Sequence, residues 1–207
     1  MSSESVRTPV LQTKLPAVGT TIFTVMSALA TEKGAVNLGQ GFPDFDCDPQ
    51  LVNAVTDAMT RGLNQYPPMT GVPALREAIA AKLVAVYGRA YDAGAEITVT
   101  AGATQAIITA ILAVVRPGDE VIVLEPCYDS YVPAAVLNGG VPKVVPLEPR
   151  SYAIDWDAVR RAVTGRTRLL MLNSPHNPAG SVITRDDIRA LQSLVGDTGI
   201  YVVSDEV

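Results

Sequence analysis

Two kinds of apolar pattern alternate along the chain from Val36 onward. The first repeats every three to four residues and predicts helices. Asp48 and Pro49 read as an N-cap followed by proline in the first turn. Leu51, Val52, Val55 and Met59 fall on one face of the helix behind them. A second helix spans about 73–87, striped by Leu75, Ile79 and Val86 and stopped by Gly88. An apolar helix runs from about 105 to 115 and ends at Pro117 and Gly118; Asp155 caps one through 163, and Thr184 caps one reaching about 195. The second kind is a short apolar run rich in β-branched residues. Residues 97–100, 121–124, 143–145, 169–172 and 200–203 predict strands on this basis. Ahead of the alternation, residues 1–35 read as an arm, with an irregular connection at 14–20 and a short helix over 22–30.

Several of these strands are unbroken apolar runs, which means burial on both faces. A mostly parallel sheet between helical layers follows: an α/β fold of three layers, α/β/α. No GxGxxG follows the first strand, which argues against a dinucleotide fold. Hydrophobic residues at 48% and charged ones at 18% are enough for a sizeable core. A net charge of −5 argues against nucleic acid as the main partner. No apolar run approaches the ~20 residues of a membrane span, and residues 1–9 contain no signal core, so a cytoplasmic protein is expected. Cys47 and Cys127 stand far apart without CxxC spacing and read as reduced thiols; a lone histidine, His176, leaves no multi-histidine metal cage, so no metal is expected.

Polar residues stand where the apolar strands finish: Gly102–Thr104, Glu125 and Pro126, Asn173, and Asp205. In a parallel sheet these carboxyl ends share one edge, where ligands bind; strands also end in polar turns as a matter of course. Gly102, Ala103 and Thr104 open a helix, and small residues there let backbone N–H groups meet an anion such as phosphate, with the Thr104 hydroxyl as a further donor. An ordinary strand-to-helix turn has the same composition. Asp205, directly after a buried strand, demands a cation: either a protonated pyridine nitrogen or a structural arginine. Pro175 and Pro178 bracket Asn177 in an irregular loop, which aims its amide at a ring hydroxyl or oxyanion. His176 reads as a packing residue of that loop more than as a catalyst. The Tyr128 ring suits a planar cofactor and equally suits a core shared with Tyr131. Tyr66 sits in the turn 64–68, presented to a ligand or to solvent.

Together, NLGQGFPDF at 37–45, NQY at 64–66, TAGAT at 100–104, NSPHNP at 173–178 and SDEV at 204–207 resemble the class I/II aminotransferases, pyridoxal 5′-phosphate (PLP) enzymes of fold type I. GTTIFTVMS at 19–27 with QGFPDF at 40–45 is most similar to the methionine and kynurenine aminotransferase branch, with succinyl-diaminopimelate aminotransferases as neighbours. The resemblance implies that Gly102, Ala103 and Thr104 take the PLP phosphate, Tyr128 stacks on the ring, Asn177 bonds the 3′ oxygen and Asp205 the ring nitrogen. It implies that Gly41 borders the substrate carboxylate and Phe23 the substrate side chain. Tyr66 would reach the phosphate of a neighbouring subunit, which makes a homodimer. Residues 1–35 would be an arm or part of a small domain, and 36–207 the N-terminal portion of the PLP-binding large domain.

The resemblance also implies a departure. The family's Schiff-base lysine follows the acid-bearing strand, beyond Val207, and Lys14, Lys33, Lys82 and Lys143 do not occupy its motif. No catalytic residue is therefore assigned within the chain, which is expected to be an N-terminal fragment, inactive alone. The expected reaction moves an amino group from an amino acid, methionine or aromatic ones first, to a 2-oxo acid. A cysteine-conjugate β-lyase or a succinyl-diaminopimelate aminotransferase would use the same residues, and a non-catalytic fragment is the alternative of another class.

Overall fold

The computed structural model describes residues 12–41 and 43–207. The first part of the expected arm and Phe42 of the 37–45 motif lie outside the described residues. The chain divides into two compact units, one of residues Thr21–Ala101 and one of Gly102–Val207 joined by the described residues up to Thr20.

The Thr21–Ala101 unit contains three helices, α1 (Ile22–Lys33), α2 (Pro49–Thr60) and α3 (Pro73–Tyr87). Their ends follow local chemistry. The Asp48 carboxylate accepts the Gln50 N–H at 2.8 Å at the start of α2, and Gly88 closes α3 in the left-handed conformation. None of the three buries a residue, and Leu51, Val52, Val55 and Met59 on the apolar face of α2 are exposed. Residues 97–100, expected as a strand, form none. Val99 donates its N–H to the Thr70 carbonyl at 3.0 Å, but β-branching sets only a local preference, and a strand exists only where a neighbour supplies a ladder.

The second unit is the α/β part. After α4 (Ala103–Val114) come β1 (Glu120–Glu125), α5 (Tyr131–Leu137), β2 (Val141–Pro146), α6 (Trp156–Ala162), β3 (Thr167–Asn173), α7 (Arg185–Thr198) and β4 (Tyr201–Asp205). The strands form one sheet in the order β2-β1-β3-β4, every pair parallel. Successive side chains of β1 and β3 enter opposite cores, as unbroken apolar strands require. Val121, Val123, Leu169 and Met171 pack with Ile107 and Ile111 of α4 and with α5. Ile122, Leu124, Leu170 and Leu172 pack with Val159 of α6 and Leu194 of α7. This is the expected three-layer arrangement. Asp155 caps α6, and Thr184 and Asp187 form a reciprocal capping box on α7. Helix α5 was not anticipated: it has seven residues, and Pro133 is its third. Among the described residues, no helix is long and apolar enough to cross a membrane.

Candidate active site

The sheet order reverses between β1 and β3, since β2 follows β1 on one side and β3 joins it on the other. Such a reversal separates the loops leaving two adjacent strand ends and opens a crevice at their carboxyl edge. A cavity of about 340 Å³ opens at that edge, within the usual size range for a small-molecule site. Ala103 and Thr104 at the start of α4 line one part, with Ile107 as apolar wall; Tyr128 follows β1, Asn173 ends β3, Asn177 lies in the loop after it, and Asp205 ends β4.

Each polar side chain is held by a neighbour. Gly102, the N-cap of α4, has φ +85°, a value glycine adopts without strain, and it leads the chain into the helix. Register places Asn173 directly beside Asp205. The Asn173 amide, 6% exposed, uses both ends: Nδ2 donates to the Asp205 carbonyl at 3.0 Å, and Oδ1 accepts the Asn177 N–H at 2.6 Å. The loop carrying Asn177 is closed at its base, where Ser174 Oγ accepts the Ile183 N–H at 3.1 Å and His176 donates its backbone N–H to the Ser181 carbonyl at 2.8 Å. The His176 imidazole is buried, its Nδ1 accepts the Ala179 N–H at 3.4 Å, and burial pushes its pKa down, so the ring is a neutral acceptor inside the loop.

Asp205 is half-buried. Its Oδ2 accepts the Tyr131 hydroxyl proton at 2.5 Å and its Oδ1 the Val207 N–H at 3.1 Å. Among the described residues no arginine or lysine pairs with it. The Tyr128 ring stands edge-on to that of Tyr131, with centroids 5.9 Å apart and planes at 66°.

Ala103, Thr104, Tyr128, Asn177 and Asp205, named from the sequence, thus meet at one cavity, with Gly102 at the cap of the same helix. Phe23, Gly41 and Tyr66 belong to the Thr21–Ala101 unit: Phe23 is half-buried, Gly41 exposed, and Tyr66 fully exposed. Two cavity residues with polar side chains were not assigned from the sequence. Asn173 was visible only as a polar strand end, and Tyr131 only as a neighbour of Tyr128. Neither residue has a local signal for its contact with Asp205, which lies 32 residues from Asn173 and 74 from Tyr131.

The pattern of the family described as aminotransferase class I and II matches residues 33–207. The chain belongs to the class I and II aminotransferases. Methionine aminotransferase of Escherichia coli (strain K12) is 52% identical over 196 residues, covering 95% of this chain and 51% of that protein. A probable N-succinyldiaminopimelate aminotransferase of Mycobacterium tuberculosis is 49% identical over 196 residues, covering 94% and 49%. The solved E. coli methionine aminotransferase structure superposes with a TM-score of 0.93 at 50% identity, over 97% of this chain and 52% of that one. The M. tuberculosis N-succinyldiaminopimelate aminotransferase structure gives 0.90 at 48% identity, over 96% and 52%. The chain spans about half the length of the curated relatives it matches.

PLP is the cofactor expected of this family, and the cavity's donor set fits it. A helix N-terminus attracts a phosphate, an aromatic face suits a planar ring, and a half-buried carboxylate without a cationic partner among the described residues suits a protonated ring nitrogen.

Proposed function

We propose that the protein carrying this chain is a PLP-dependent aminotransferase that moves an amino group from a neutral amino acid, methionine or an aromatic or kynurenine-like one foremost, to a 2-oxo acid. The observation that carries this reading is the meeting of the α4 N-terminus, Tyr128, Asn177 and an Asp205 without a cationic partner at one crevice. Methionine is favoured because the 52%-identical relative is a methionine aminotransferase. A succinylated diamino acid is the second reading, supported by the 49%-identical relative.

In this reading Gly102, Ala103 and Thr104 hold the phosphate, and Tyr128 lies on the ring face. Asn177 donates its side-chain amide to the 3′ oxygen, and Asp205 keeps a proton on the ring nitrogen by offering it a negative charge. When bound, the cofactor supplies the electron sink for bond breaking at the substrate's α-carbon. Phe23 and Gly41 border the substrate, and Tyr66 reaches across to the phosphate of a second subunit in a cytoplasmic homodimer. Residues 1–35 form an arm or part of a small domain, and 36–207 the first portion of the large domain. Of Lys14, Lys33, Lys82 and Lys143, none lines the cavity. Covalent attachment of the cofactor and proton transfer at the α-carbon are therefore assigned to a lysine outside these 207 residues, and the chain alone is expected to bind PLP without sustained turnover.

The test is cofactor binding followed by exchange. The chain is titrated with PLP and followed by absorbance, and the protein that contains it is then assayed with methionine, kynurenine and succinyl-diaminopimelate against a 2-oxo acid. A protein that takes up no PLP refutes the proposal, and transfer only from the succinylated substrate replaces methionine with the second reading.

A further inference from the structure

We propose that Tyr131 is a positioning residue for this site: its hydroxyl holds the Asp205 carboxyl group in one orientation while its T-shaped ring contact sets the plane of Tyr128. One side chain then fixes both the stacking face and the nitrogen end of a bound pyridine ring. This role rests on the cofactor reading proposed above and deepens it.

Tyr131 has the rigidity such a role needs. It is 2% exposed, begins α5, and packs in the core that also holds Ile107, Ile111, Val123 and Met171. Its Oη lies 2.5 Å from Asp205 Oδ2, and its ring meets Tyr128 edge-on at 5.9 Å. The Val207 N–H on Oδ1 completes the orientation of the carboxyl plane.

The chemistry follows from what a phenol donates. A hydrogen bond from a phenol fixes the direction of one carboxylate oxygen of Asp205 without neutralising its charge. A pyridine N–H⁺ facing that carboxylate is stabilised most when the negative oxygen is held in line with it, so the aim of Asp205 is what Tyr131 supplies. A lysine or arginine in place of Tyr131 would cancel the charge of Asp205; a neutral phenol orients the carboxylate and leaves that charge for the ring. Burial first, then the bond to Asp205 and its charge, raise the Tyr131 phenol far above its ordinary value near 10, so the donor keeps its proton through neutral pH.

The experiment compares the unaltered chain with Tyr131→Phe, both loaded with PLP labelled with ¹⁵N in the ring, and reads the ring-nitrogen chemical shift against pH. Losing the bond that aims Asp205 at the ring is expected to lower the apparent pKa of the bound ring nitrogen by about one unit, a roughly tenfold loss of protonated ring. PLP affinity should change less than about tenfold, because the groups assigned to the phosphate are untouched. Superimposable ring-nitrogen profiles in the two proteins overturn the role of Tyr131 while leaving the cofactor reading intact. Failure of the unaltered chain to bind PLP overturns both. A second measurement needs no variant. The chain has seven tyrosines, and absorbance titration to about pH 11, one unit above an ordinary tyrosine, should ionise at least one fewer in the folded chain than in urea. Full ionisation of all tyrosines in the folded chain also overturns the proposal.

Discussion

Replacing Asn173 with leucine separates what its amide does from what its volume does. Leucine fills a similar space in the buried position but offers neither donor nor acceptor. The Asn177 N–H, which donates to Oδ1 at 2.6 Å, is left without that partner at a cost of about 1–3 kcal/mol. The Asp205 carbonyl loses the Nδ2 bond but keeps the Ser174 N–H at 3.0 Å, so its loss is nearer the net value of about 0.5–1.5 kcal/mol. The sum is roughly 2–4 kcal/mol, and with a urea dependence of about 2 kcal/mol/M the unfolding midpoint should fall by roughly 1–2 M. The single tryptophan, Trp156, reports on this unit, because it begins α6 and its indole N–H donates to Asp187 of α7 at 2.8 Å. Asn173→Asp is the companion variant: it keeps the acceptor for Asn177 but turns an oxygen toward the Asp205 carbonyl. That contact disfavours the ionised form and raises the folded pKa of the new carboxyl above its ordinary value of about 3.9. Relative to the unaltered chain, Asn173→Asp should therefore be most stable at low pH and lose stability as pH rises through that folded value. A midpoint shift below about 0.3 M for Asn173→Leu would refute the clamp, since one stranded N–H alone costs more than that. An Asn173→Asp variant that gains relative stability from pH 4 to pH 7 would do the same.

Three further outcomes are expected. Asp205→Asn in the protein that contains this chain should abolish transamination with much less harm to folding, and Asp205→Ala should in addition strand the buried Tyr131 hydroxyl at about 1–3 kcal/mol; near-normal turnover in either variant would leave Asp205 a purely structural acid. Gly71→Ala places a Cβ 2.7 Å from Val99 Cγ2 at a φ of +102° and should destabilise the Thr21–Ala101 unit by roughly 1–3 kcal/mol, read as faster amide exchange there, with unchanged exchange contradicting the steric reading. Glu120, 1% exposed, accepts the Thr164 hydroxyl at 2.6 Å and an Arg166 N–H at 2.9 Å, and these bonds hold its pKa below the ordinary value of 4.5; its contribution is present above that value and lost as pH falls through the folded one, so Glu120→Gln should flatten the acid limb of thermal stability against pH, and an identical limb would count against it.

Much of the fold was legible because its signals are local. Asp48, Asp155 and Thr184 cap helices through bonds two to three residues long. The unbroken runs at 121–124 and 169–172 announce strands buried on both faces, Asn177 and Asp205 stand out as polar chemistry at or just past strand ends, and Gly102–Thr104 as small residues opening a helix, although the strand expected ahead of them does not form. The failures also have a physical pattern. Residues 97–100 have strand composition but no ladder, because β-propensity describes a fit to a neighbour and not a backbone conformation by itself. Helix α5 is two turns long with an internal proline, too short for periodicity to reveal; packing in the core beside α4 sustains it.

The sequence by itself determined most of the helices and the four paired strands, the parallel α/β class and the residue types that meet at the site. Only the tertiary structure decided their partners. The Asn173–Asp205 contact depends on the register of β3 against β4, and the Tyr131–Asp205 bond joins residues 74 positions apart. Capping and periodicity act within a turn or two of chain, whereas the aim of Asp205 is set by groups that only the closed sheet brings within hydrogen-bonding reach.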